Sequence, residues 1–340
     1  MSASPQDIAG KRCLYTGETF QEAFRVLGKL RQGEAPIPTA ANPDQVLLEA
    51  RVLLNLLESR NIYTRYPLGI VAVHPAPDTI GLQVESVERA TEILFNILPA
   101  FGPDGELHGV PGLRIARWHK TAIELRVLGQ PARLRLSGLP CRLWRQAEAD
   151  TLPGWIDPAE MRLCWRSSPA QYTTVERERR NMWEDPDDDY VQRVRRGAWL
   201  SSGLLRRAAL LHTVSNAFAA DGYHSLGANV APLVVRSSHV RGHGPGPHHI
   251  VAALLDPVFG LPLRVARFQG DTDESYGADQ HFVLKDRSGT GALDLRASTE
   301  KPSSRMDDTL WRSIMRRLPT RGFTGPEAGP LAILNCVGAP

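Results

Sequence analysis

Four of the ten histidines lie in one short segment, between positions 239 and 249. The segment reads Ser-His-Val-Arg-Gly-His-Gly-Pro-Gly-Pro-His-His from position 238 onward. Imidazole titrates near neutral pH, so it can serve as a metal ligand or as a general acid or base. The side chains that would carry this chemistry are His239, His243, His248 and His249.

Three chemistries remain open for this loop. In the first, the histidines bind a divalent metal together with Asp271 or Asp273 from a nearby acidic segment. In the second, two histidines act as acid and base on a phosphodiester while Arg236 or Arg241 neutralises the phosphate. In the third, backbone N–H groups of the glycine run cradle an anion, although the interspersed prolines remove two of those donors. A solvated surface loop without chemistry is the commoner origin of such a segment.

A second candidate is the stretch from 114 to 145, which is rich in arginine and tryptophan. Alternate residues of a strand share one face of a sheet, so Arg133 is expected to share a face with Arg135, and Arg117 with His119. Trp118 is the candidate for stacking on a base. Basic sheet faces with aromatic rings bind single-stranded nucleic acid in several protein classes. Solvated arginines on an ordinary sheet are the alternative, because 35 of the 40 basic residues in this chain are arginine.

The first two predicted helices, joined by a turn, form a third candidate. Their basic residues would suit a helix-turn-helix that contacts DNA. A small helical subdomain packed on a sheet is the commoner arrangement of such a pair. The basic residues in question are Lys11, Arg12, Arg25, Lys29 and Arg31.

Composition narrows the class of protein. The 340 residues carry a net charge of +3, much less than a dedicated DNA-binding domain concentrates. The four cysteines are widely spaced, which argues against both a CxxC metal site and a disulfide framework. No secretory signal is visible and the longest apolar runs are far too short to cross a bilayer, so we expect a cytoplasmic protein without a membrane partner.

Sequence periodicity predicts the elements that position these residues. Helices are expected over about 4–14, 16–32, 43–57, 86–98, 190–198, 202–222 and 307–317. Strands are expected over about 68–73, 81–85, 113–118, 122–128, 132–136, 142–144, 232–236, 249–255, 263–268, 281–285 and 292–296. Because strands do not alternate strictly with helices, the fold class is α+β: an N-terminal helical segment and two halves that each combine helices with a mostly antiparallel sheet.

The domain prediction follows from a polar, highly charged stretch. Residues 1–166 would form the first half, 167–189 a charged linker, and 190–340 the second half with the histidine loop. Three functions stay open: a nucleic-acid-binding or -processing protein, which the arginines and the loop favour, a metal-assisted enzyme acting on a small molecule, and a non-catalytic scaffold.

Overall fold

The computed structural model describes residues 4–31, 33–58, 66–152, 160–184, 187–211, 233–238, 247–269, 280–288 and 290–298. The chain divides into two units. We call Pro38–Ser59 with Gly69–Arg206 the central unit, and Met1–Ile37 with Arg60–Leu68 and Arg207–Pro340 the terminal unit. In the described parts of the chain, no helix combines the length and the apolar character needed to span a membrane. Cys13, Cys141 and Cys164 are free thiols.

The central unit is built around a mixed sheet. Its described strands are β1 (Ile70–Ala76), β2 (Thr79–Val84), β5 (Leu113–Trp118), β6 (Ala122–Val127) and β7 (Arg133–Ser137). They are ordered β1–β2–β7–β6–β5, with β2 and β7 parallel and the other neighbours antiparallel. A small second sheet joins β4 (Leu107–His108), β3 (Ala100–Phe101) and β8 (Arg162–Leu163).

The core of this unit lies on one face of the larger sheet. Strict alternation in β7 leaves Leu134 and Leu136 fully buried, while Arg133 and Arg135 are exposed. Apolar residues of β2 and β6 continue the buried face, and α4 and α5 contact these strands. The helices of the unit are α3 (Pro43–Glu58), α4 (Val87–Ile97), α5 (Cys141–Ala149), α6 (Cys164–Ser167), α7 (Thr174–Glu184) and α8 (Asp189–Leu205).

A buried charged pair joins α3 to Arg206, the residue that follows α8. The guanidinium of Arg206 donates from Nε and Nη2 to the two carboxylate oxygens of Glu49, at 2.7 and 2.6 Å. Ser202 donates to the same carboxylate at 2.6 Å, and all three residues are buried. Because the Glu49 carboxylate and the Arg206 guanidinium both have hydrogen-bond partners, α3 and α8 can pack closely around the pair.

The terminal unit combines helices with a second sheet. Its described elements are α1 (Pro5–Thr16), α2 (Phe20–Leu27), β9 (Leu233–Ser238), α9 (Pro247–Leu254), β10 (Leu263–Gln269), β11 (Gln280–Asp286) and β12 (Ala292–Ser298). The strand order is β10–β11–β12–β9, antiparallel except for the parallel β12–β9 pair. Both units therefore mix helices with largely antiparallel strands, and the α+β class is confirmed.

Several predicted elements differ from the structure. The segment 249–255 was expected as a strand but belongs to helix α9, because Pro247 starts a helix well and the buried Ile250, Val251 and Leu254 follow a helical spacing. The segment 142–144 is likewise wrong as a strand, since it lies in α5, where Trp144 and Ala147 are buried one turn apart.

Helix boundaries also shift. The second helix begins after Thr19, whose side chain and that of Glu22 form a reciprocal capping box, so Thr16 falls at the end of α1 instead. Ser202 was expected to start a helix, yet it lies inside the continuous helix α8. Part of the predicted charged linker is also helical, because α7 covers Thr174–Glu184.

Candidate nucleic-acid interface

The face of the central sheet opposite its core carries exposed arginines. Arg133 and Arg135 are exposed in β7, where the sequence predicted them side by side. The register places Arg135 opposite Glu124 of β6 and Arg133 opposite Arg126. These four charged side chains therefore project from one face of two neighbouring strands.

A β-bulge brings Arg117 to the same face. The pairing of β5 with β6 shifts between Ile115 and Arg117, so that Arg117 lies opposite Glu124. The extra residue, Ala116, shifts the alternation by one position, so that Arg117 takes the face that Arg114 takes before the bulge. Arg117 is exposed there. We call Arg117, Glu124, Arg126, Arg133 and Arg135 the basic face.

Glu124 is the carboxylate at the centre of the basic face. Arg126 Nε donates to its Oε1 at 2.6 Å, and His119 Nε2 lies 3.7 Å from its Oε2. Partial burial would by itself raise the pKa of Glu124, but the hydrogen bond from Arg126 and the charges of Arg126, Arg117 and Arg133 lower it below its usual value. The carboxylate is thus ionised at neutral pH, and the four arginines around it leave the face positive.

Trp118 lies on the other side of the sheet. Its register partner is the fully buried Ile123, whereas the partner of Arg117 is Glu124. The guanidinium of Arg145, from α5, stands 4.6 Å from the centre of the Trp118 ring. Trp118 is the single aromatic residue in the strands of this sheet, so the basic face offers charge rather than stacking rings.

Arg114 illustrates a basic residue with a structural role. Its guanidinium is buried and donates to both oxygens of Glu176, each at 2.9 Å. It also donates to the carbonyl oxygens of Ser168 and Gln171. Burial alone would raise the pKa of Glu176, but the hydrogen bonds from Arg114, Thr173 and Gly112 lower it. This pair anchors α7 and the preceding loop to β5.

The N-terminal helix pair offers less for DNA than its sequence suggested. Arg12 is fully buried and donates from Nε to Glu18 at 2.6 Å and from Nη1 to the Pro36 carbonyl. That guanidinium is therefore committed to the interior of the terminal unit. Arg25, Lys29 and Arg31 remain exposed.

The predicted histidine site falls mostly outside the described residues. His239, Arg241 and His243 lie there, as do Asp271 and Asp273. His248 and His249 stand in the first turn of α9. Arg236 lies in β9, with its backbone opposite Arg296 of β12.

Two described strand ends lie at one end of the terminal sheet. Ser238 ends β9 opposite Ser298, and Gln280 begins β11 opposite Ala297. Within the described ranges, no group of three or more His, Cys, Asp or Glu side chains is arranged to hold a metal ion.

A histidine and a carboxylate that the sequence did not single out meet on the terminal sheet. Nε2 of His281 lies 2.5 Å from Oδ1 of Asp294, on neighbouring strands β11 and β12. The Asp294 side chain is 10% exposed and that of His281 is 24% exposed. Neither residue belongs to a local motif, so only the strand register could have revealed the pair.

Comparison of the chain with protein-family models, with curated proteins and with solved structures finds no match.

Proposed function

We propose that the protein binds single-stranded nucleic acid, RNA or DNA, on the basic face of its central unit. The observation that carries the proposal is the set of exposed arginines at positions 117, 133 and 135, spread over two strands that flank β6. Neighbouring strands lie about 4.8 Å apart, so these guanidiniums can reach more than one phosphate of an extended strand. Arginine suits this role because its planar donors match phosphate oxygens.

The basic face contains arginines that can bind phosphates and no aromatic ring that can stack on a base. Phosphate contacts fix a strand in place but do not read its sequence. Because the aromatic ring of Trp118 lies on the packed side, base stacking adds little on this face. We expect binding that depends weakly on base sequence and strongly on salt. A cytoplasmic location, expected from the sequence, is part of the same proposal.

The test is a salt titration with matched variants. A fluorescently labelled single-stranded oligonucleotide is titrated with the wild type, with a face variant (Arg117→Gln, Arg133→Gln and Arg135→Gln) and with a control variant. The control removes the same charge from exposed arginines of α5 and α8: Arg142→Gln, Arg195→Gln and Arg196→Gln.

Each lost phosphate contact on a single strand lowers the slope of log K against log salt by about 0.7, so the face variant should lose about 2 in slope. The control variant should keep most of the wild-type slope. Equal slopes for the two variants, or no binding by the wild type at low salt, would refute the proposal.

A second candidate function, acid–base catalysis on a phosphodiester, is supported by the His281–Asp294 contact. Nε2 of His281 makes no hydrogen bond to another described residue, although Asp294 Oδ1 lies 2.5 Å away. A rotation of the ring would let the carboxylate accept from Nε2 and would leave Nδ1 to exchange a proton with a substrate. On RNA, the imidazole would take the 2′-hydroxyl proton as that oxygen attacks phosphorus. The bond to the 5′ oxygen would then break, and water would supply its proton. Exposed Arg267 and Lys285, on strands of the same sheet, carry the positive charge that a phosphate needs.

The corresponding assay incubates end-labelled RNA with the wild type and with His281→Gln. His119→Gln is the control because His119 also contacts a carboxylate, Glu124, but in the central unit. Cleavage by the wild type and the control but not by His281→Gln supports the candidate function. Intact RNA with the wild type, or equal cleavage by all three proteins, rules it out.

A further inference from the structure

A cleft of about 380 Å³ lies between the segment that follows β6 and helix α7. One wall is the segment directly after β6, with Leu128 and Gly129, and the other is formed by the loop before α7 and by α7 itself. Leu128 follows Arg126 by two positions, so their side chains point to the same side of the sheet. The residues that line the cleft are Leu128, Gly129, Ala170, Gln171, Tyr172, Arg177 and Arg180.

The loop wall is held by the buried Arg114–Glu176 pair. Glu176 Oε1 accepts from the Gly112 backbone N–H at 2.8 Å, and Arg114 binds the Gln171 carbonyl at 2.9 Å. The Arg114 and Glu176 side chains are 6% and 0% exposed. Tyr172 donates its hydroxyl to the Leu128 carbonyl at 2.9 Å, which links the two walls. The cleft is therefore shaped by satisfied buried groups and needs little rearrangement to accept a ligand.

The charge of the cleft selects an anion. Arg177 and Arg180 are three positions apart on α7, so they lie on the same side of the helix. The Arg180 guanidinium is 5.2 Å from the centre of the Tyr172 ring, which positions it at the cleft. No carboxylate stands among the described residues that line the cleft. Two guanidiniums are well suited to a phosphate group.

We infer that this cleft binds the terminal, phosphorylated nucleotide of a strand that lies on the basic face. The inference rests on the proposed function, because the cleft continues the face beyond Arg126. Its volume is near the lower limit for small-molecule sites, which suits one nucleotide rather than several.

The experiment compares oligonucleotides of one sequence that carry a 5′-phosphate, a 3′-phosphate or hydroxyls at both ends, together with a nucleoside monophosphate alone. We expect one phosphorylated end to bind about tenfold more tightly than the hydroxyl-ended strand, as two charge-assisted contacts allow. The variant Arg177→Gln with Arg180→Gln should lower that affinity to the hydroxyl-ended level. Arg142→Gln with Arg196→Gln is the matched control and should retain the preference.

A second variant distinguishes a blocked cleft from a loss of structure caused by the arginine substitutions. Ala170 is exposed, so Ala170→Trp should fill the cleft without disturbing the core and should also abolish the preference for a phosphorylated end. Equal affinity for all three ends in the wild type would overturn the inference while leaving the proposed function in place. Binding of the monophosphate without binding of any oligonucleotide would overturn the proposed function, and the inference with it.

Discussion

Replacement of Glu176 by glutamine should destabilise the central unit strongly. The carboxylate accepts hydrogen bonds from the Gly112 and Thr173 N–H groups, from the Thr173 hydroxyl and from both terminal nitrogens of Arg114. An amide of the same size keeps one acceptor oxygen and brings N–H donors toward groups that also donate. The Arg114 charge would then stay buried without its counter-ion.

Removal of one partner of a buried ion pair costs about 3–5 kcal/mol in free energy of unfolding. Urea unfolding followed by tryptophan fluorescence measures it well, because six of the seven tryptophans belong to the central unit. With a urea dependence of roughly 2 kcal/mol per M, the midpoint should fall by about 2 M.

Two further variants separate the buried pair from ordinary surface charge. Glu148→Gln removes a carboxylate that pairs with Arg166 near the surface, and it should cost at most about 1 kcal/mol. The double change Arg114→Met with Glu176→Leu removes both charges and should recover part of the loss, because the Gly112 N–H and Thr173 still lose their acceptor. A loss below about 1 kcal/mol for Glu176→Gln would refute the structural role assigned to this pair.

Three more outcomes follow from the structure. The folded protein holds the pKa of Glu176 below its usual value, so the contribution of Glu176 to the free energy of unfolding is complete above about pH 4.3 and is lost as pH falls through the lower folded pKa. The difference in free energy of unfolding between wild type and Glu176→Gln, measured in urea, should therefore shrink on acidification. A difference that widens would contradict this. Gly112→Ala should lower the free energy of unfolding by about 2 kcal/mol or more in the same assay, because φ of Gly112 is +76° and the new Cβ would stand 2.4 Å from the Tyr172 ring. An unchanged urea midpoint would contradict this. Thr19→Ala should remove the capping box of α2 and cost about 1 kcal/mol locally, seen as roughly fivefold faster amide exchange in that helix, with exchange in α4 as the internal control.

Alternation was the most informative sequence signal. It predicted β6 and β7 closely and correctly placed Arg133 and Arg135 on one face, because the buried Leu134 and Leu136 fix the register. It could not predict the bulge that returns Arg117 to that face. Bulges depend on tertiary packing, so the single sequence carries no clear sign of them.

Pairs of charged side chains that are distant in the sequence could not be predicted either, because they too depend on tertiary packing. Glu176 lies in a charged stretch that is typical of a solvated linker, yet its partner Arg114 is 62 positions away and both are buried. His281 and Asp294 also lie apart in the sequence and meet only because β11 and β12 are neighbouring strands. The helix α9 was missed because a short apolar run fits a strand or a buried helix equally well.

Chemical footprinting of arginine tests the proposed interface most directly. Phenylglyoxal modifies exposed guanidiniums, and mass spectrometry gives the extent of modification at each position with and without a saturating single-stranded oligonucleotide. We expect the oligonucleotide to protect Arg117, Arg133 and Arg135 while Arg142 and Arg196 react as before. Unchanged modification of the first three arginines, with protection at other positions, would contradict the assignment of the basic face as the binding surface.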